Sequence, residues 1–78
     1  MDALPTSDGA VVAKLTVRER EVLRRTSLGQ TNAQMAEALG ISIHAVKFHL
    51  ASIFRKFGVQ NRTEAAAIYL LHTASSAS

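Results

Sequence analysis

Only three residues, Gly40-Ile41-Ser42, separate two stretches with the periodicity of α-helices. Before the link, Thr31 and Gln34 have the spacing of a capping box, and Met35, Ala36 and Leu39 form a buried stripe. After it, Ser42 has an N-cap side chain, Val46, Leu50, Ile53 and Phe57 line one helix face, and Gly58 falls where a helix stops. So short a link cannot carry the chain across a domain. The helices over about 32–39 and about 43–57 must therefore meet directly at a steep angle, the helix-turn-helix arrangement. Ala36 is small enough for the close crossing, and Gly40 tolerates the positive φ that the turn requires.

The second of these helices has a face with no structural duty. At about 100° per residue, His44, Phe48, Ala51 and Arg55 lie opposite the core stripe, with Lys47 at their edge. One exposed Phe is ordinary on a surface helix, but it also suits a face that presents something. The helix alone leaves both readings open. Charge favours the second: Gly40 to Thr63 contains Lys47, Arg55, Lys56 and Arg62 and no acid, whereas the acids sit at Asp2, Asp8, Glu19, Glu21, Glu37 and Glu64. The whole chain carries only +3, so the distribution says more than the total.

The rest of the chain reads as support. Residues 1–13 lack periodicity and are expected to form a flexible arm. Thr16 and Glu19 make a capping box for a helix to about Ser27 that buries Val22, Leu23 and Thr26 and leaves Arg18, Arg20, Arg24 and Arg25 at the surface. Asn61 and Glu64 repeat the spacing for a last helix through about His72, and 74–78 is expected to be a disordered tail. That last helix is apolar all round. Ala65, Ile68 and Tyr69 supply the stripe that a terminal helix needs, which leaves Ala67, Leu70 and Leu71 either wrapping a concave part of the same core or forming an oligomer contact. The fold class expected is an all-α, compact four-helix bundle over residues 14–73.

Several function classes drop out. With 78 residues there is room for one small domain, and 47% hydrophobic content is enough for its core. There is no Cys, and His44, His49 and His72 have no helical ligand spacing, so no metal or other cofactor is expected. The acids are scattered and Ser42 and Thr63 serve as caps, so an enzyme is not expected. The opening is not a secretory signal and no window approaches the roughly 18 apolar residues of a membrane span, so a soluble cytoplasmic protein is expected, with no membrane partner.

A wider pattern now stands out. Leu15 to Leu23, Gly29-Gln30-Thr31-Asn32, Met35-Ala36, Leu39 to Ser42, Val46 to Leu50, Ile53, Lys56 to Val59 and Asn61 to Ala65 together resemble the LuxR/FixJ/NarL-type DNA-binding domain, over about residues 14–72. The resemblance implies a transcription regulator that binds double-stranded DNA with its third helix in the major groove and pairs through its fourth, here by Ala67, Leu70 and Leu71. It implies that Lys47 and Phe48 contact bases and that His49, Thr31 and Asn32 touch phosphates. His44, Ala51, Arg55 and Lys56 complete the expected DNA-binding set. It further implies that Glu19 and Arg62 pair inside the fold. Such domains are commonly the output domain of a response regulator, behind a receiver or ligand-sensing domain, with RNA polymerase as a further candidate partner. The chain departs from the pattern at Ala45, usually Thr, at Phe57, usually Leu, at Ala51, where some members have Lys, and at His44, often Lys or Arg. Two alternatives remain. A sigma-factor region reading promoter DNA shares the first three helices, but the apolar fourth helix weighs against it. A protein-interaction bundle would use Phe48 as a partner contact instead.

Overall fold

The computed structural model describes residues 12–77, with side chains through residue 74. Among the described residues the chain forms four helices and no strand: α1 Val17–Ser27, α2 Asn32–Leu39, α3 Ile43–Phe57 and α4 Arg62–Ala77. This is the expected all-α, four-helix architecture with α2 and α3 as the helix-turn-helix.

Each helix starts on a side chain that takes up an orphan amide. Thr16 Oγ1 accepts from Glu19 N (3.0 Å), and the Glu19 carboxylate accepts from Thr16 N (2.9 Å). Thr31 and Gln34 reproduce that box at 3.1 and 2.8 Å. Ser42 caps α3 through Ala45 N (3.0 Å) but receives nothing back, because alanine has no acceptor to return. Asn61 accepts from Glu64 N (2.9 Å), and the Glu64 carboxylate reaches one residue further, to Gln60 N (3.1 Å).

The turn after α2 and the exit of α3 close alike. Gly40 and Gly58 adopt left-handed φ of 68° and 69°, and the following amides, Ile41 N and Val59 N, return to Ala36 O and Phe54 O at 3.0 Å. That geometry turns Ile41 and Val59 against the core, where an apolar residue is needed. A Cβ at Gly58 would meet nothing within 4 Å, so only backbone strain opposes one. Gly58→Ala is expected to lower stability by about 1 kcal/mol, and Gly58→Asn by less, in urea unfolding.

The core is built from one face of every helix: Val22 and Leu23, Met35 and Ala36, Val46, Leu50 and Ile53, and Ala65, with Leu15 beneath and Leu39, Phe57 and Tyr69 around its edge. Thr26 is buried as expected, its hydroxyl donating to Val22 O at 2.9 Å. Two boundaries differ from expectation. Residues 1–11 of the expected arm lie outside the described residues, but Val12 is buried and its carbonyl accepts from Leu15 N (3.1 Å), so packing begins before residue 14. At the other end α4 continues past His72 to Ala77, through most of the stretch expected to be a tail.

Candidate nucleic-acid interface

α3 is held by its apolar stripe and presents the opposite side. Val46, Leu50 and Ile53 are buried, whereas His44, Lys47, Phe48, Ala51 and Arg55 are all exposed, Phe48 by 69%. Its aromatic neighbour among the described residues is His49, edge-on with ring centroids 6.0 Å apart. His49 itself sits half-buried on the flank. Among the described residues neither Lys47 nor Arg55 has a carboxylate partner. The face therefore offers two uncompensated cations around an exposed aromatic.

Lys47 also borders an open groove of about 400 Å³ that α3 forms with the starts of α2 and α4. Leu50, Ala51 and Phe54 make its apolar floor, and Asn32, Asn61 and Arg62 its polar rim. Thr31 is exposed beside Asn32. The first turn of α2, with its unpaired amides, thus opens on the same side as Lys47.

Two basic residues are placed otherwise than expected. Lys56 lies on the far flank of α3 and turns inward, its Nζ donating to Glu19 Oε1 (2.7 Å) and to Lys14 O (3.3 Å). It belongs to the scaffold rather than to the exposed face. The expected Glu19–Arg62 pair does not form. Arg62 instead donates to Asn32 Oδ1 (3.3 Å) and to the Gln30 carbonyl.

Glu19 is the buried anion that organises this flank. Burial alone would push its carboxyl up, but hydrogen bonds from Lys56, Ser52 and the Thr16 amide outweigh that and hold it at about 2. Ser52, buried and bonded to Glu19, was not singled out by the sequence. The available signal was its place one turn before Lys56 on the same flank, a weak one. In the sequence Asn61 shows only the spacing of a cap, and its position on the groove rim depends on the α3–α4 packing.

Residues 13–69 match the family described as bacterial regulatory proteins, luxR family. The chain belongs to the LuxR family. Among its LuxR-type relatives, a probable transcriptional regulatory protein (SgaR) of Hyphomicrobium methylovorum is 46% identical over 56 residues, which is 72% of this chain and 26% of the relative. A putative HTH-type transcriptional regulator (YhjB) of Escherichia coli is 40% identical over 62 residues, 80% of this chain and 31% of the relative. The CsgBAC operon transcriptional regulatory protein of Escherichia coli is 44% identical over 55 residues, 70% of this chain and 26% of the relative. The chain therefore spans only about a quarter to a third of these regulators. Among the described residues no helix is long and apolar enough to cross a membrane.

Proposed function

We propose that this LuxR-type domain binds double-stranded DNA sequence-specifically and regulates transcription, with α3 in the major groove. The observation that carries the reading is Phe48, held out into solvent on a helix face with Lys47 and Arg55 and no acid. Lys47 can donate to guanine O6 or N7, and Phe48 can lie against thymine methyls. Arg55, His44 and the first turn of α2, through Thr31 and Asn32, would hold phosphates and fix the register. Ala51 sits between Lys47 and Arg55 with only a methyl, so a base or sugar can approach closely there. The domain would act as the output unit of a longer cytoplasmic regulator such as a response regulator, as a homodimer on DNA, with RNA polymerase as a downstream partner.

Salt dependence tests this reading. Lys47 and Arg55, the two cations of this face without a carboxylate partner, bring two positive charges against the duplex, so log K is expected to fall with log salt at a slope of about −2 per domain, each charge brought against the phosphates contributing about −0.9. Lys56→Ala is expected to leave that slope unchanged, because its charge is already matched by Glu19. Affinity that stays flat between low and moderate salt would instead favour a protein-interaction bundle.

Base reading has its own signature. Lys47→Ala or Phe48→Ala should each cost about 1–3 kcal/mol on a preferred site, selected from a random duplex library, and relax preference at one or two base pairs. If Phe48→Ala keeps the wild-type ratio between preferred and scrambled duplex, the ring reads nothing.

A further inference from the structure

Arg62 stands outside the reading helix, yet it reaches the groove where α2, α3 and α4 meet. It is half-buried at the first position of α4, and its guanidinium spans the gap to the start of α2. One Nη donates to Asn32 Oδ1 at 3.3 Å and the other to the Gln30 carbonyl. A guanidinium has donors only, so an amide that faces it must turn its oxygen inward. The two ends of an Asn amide point in different directions from the same carbon. With Oδ1 on Arg62, the Asn32 NH2 is left free of the guanidinium, on a residue that lines the same groove as Lys47. Two amide hydrogens beside an ammonium and the open first turn of α2 make a donor set that suits an anionic phosphate oxygen.

We propose that Arg62 is a positioning residue for DNA binding: it fixes the rotamer and amide orientation of Asn32 so that the Asn32 NH2 meets a backbone phosphate. The inference rests on the DNA-binding reading above. The fork holds Asn32 Oδ1 with one arm and the Gln30 carbonyl with the other, so the guanidinium is itself fixed and a point charge does not reproduce the pair of contacts. The arrangement also makes the start of α4 a support for the start of α2, which the Gly40 turn alone does not provide.

A double-mutant cycle on duplex affinity, with melting of every variant and the salt slope measured alongside, separates the possibilities. Arg62→Ala is expected to weaken binding about tenfold, the scale of one hydrogen bond to a charged group, with the salt slope unchanged. Asn32→Ala should weaken it by a similar factor, and in that background Arg62→Ala should add less than about twofold. Arg62→Lys, which keeps the charge and is the gentler change if Arg62→Ala melts too low, should still lose roughly threefold or more. In spectra of the free protein, the Asn32 side-chain NH2 signals should be distinct in wild type and should move toward the averaged position of exposed Asn in Arg62→Lys. A full Arg62→Ala loss that persists beside Asn32→Ala, a slope reduced by about one, or wild-type affinity in Arg62→Lys each overturns the positioning role. Wild-type protein that retains no duplex at low salt overturns the DNA reading beneath it, a separate result.

Discussion

Glu19→Gln is expected to destabilise the domain by about 3 kcal/mol at neutral pH and to remove most of its acid sensitivity. Glu19 is 5% exposed, and its carboxylate accepts from Thr16 N, Ser52 Oγ and Lys56 Nζ, tying the first turn of α1 to the last two turns of α3. Glutamine keeps the shape but removes the charge opposite the Lys56 ammonium; its NH2 can donate to the Ser52 hydroxyl, so what is lost is the charge-assisted bonds rather than the packing. The magnitude follows from the carboxyl, ordinarily at 4.5, standing at about 2 in the folded protein, since each unit corresponds to about 1.4 kcal/mol.

The depressed value fixes the sign. Between pH 4.5 and about 2 the unfolded chain binds the proton and the folded one does not, so stability falls as pH falls. The contribution is whole above 4.5 and gone once pH passes below about 2. Glu21 is also lowered, by its hydrogen bond to Arg24 and its pairing with Arg24 and Arg25, but it lies at the surface, where ion pairs are worth little. Comparing wild type with Glu19→Gln cancels it. Urea titrations at several pH values should show the two proteins converging as pH drops toward 2. A gap that is absent at pH 7, or constant down to pH 2, would mean that the buried pair contributes no net stability.

The ends of the inner helices were legible because each carries chemical punctuation. Thr16 with Glu19, Thr31 with Gln34, Gly40 and Gly58 act within four or five residues of themselves, so the sequence contains the whole interaction. The division of α3 into a buried stripe and an outward face was legible for the same reason: it needs only the helical period. The partners of long charged side chains were not. Glu19 satisfies its cap locally and also meets Lys56 and Ser52 across α1 and α3, which depends on how the helices cross. Arg62 could have met an acid, a phosphate or an amide, and only the approach of α4 to α2 selects Asn32. The outer boundaries failed for another reason. No Gly or Pro follows Tyr69 to stop α4, and Val12 lies in a run of four small apolar residues, Ala10 to Ala13, too short to show a period, so neither end announces itself.

Leu71→Glu is expected to abolish cooperative filling of an inverted-repeat site while leaving a single half-site bound within about twofold of wild type. Leu70 and Leu71 are 52% and 60% exposed, and Ala67 is exposed with them, whereas Ala65 carries the contact of α4 with the core. The surplus apolar side is therefore uncovered in one chain. Leu70 and Ala67 additionally border an open groove of about 430 Å³ with Thr26, Arg62, Thr63 and Ala66, so Leu70 is the less clean probe. A carboxylate at position 71 stays in water in the monomer and should change stability by no more than about 0.5 kcal/mol. In a two-fold pair it would face its own copy across the axis, where like charges repel and apolar contact is lost. The patch is small, so free domains are expected to remain monomeric at micromolar concentration, with DNA raising the local concentration enough for pairing. Titrating wild type and Leu71→Glu onto duplexes with one and two half-sites, about one helical turn apart, reads both effects at once. Cooperativity that survives the substitution would remove α4 as the pairing surface. A variant that unfolds would assign Leu71 to the monomer core, against its exposure.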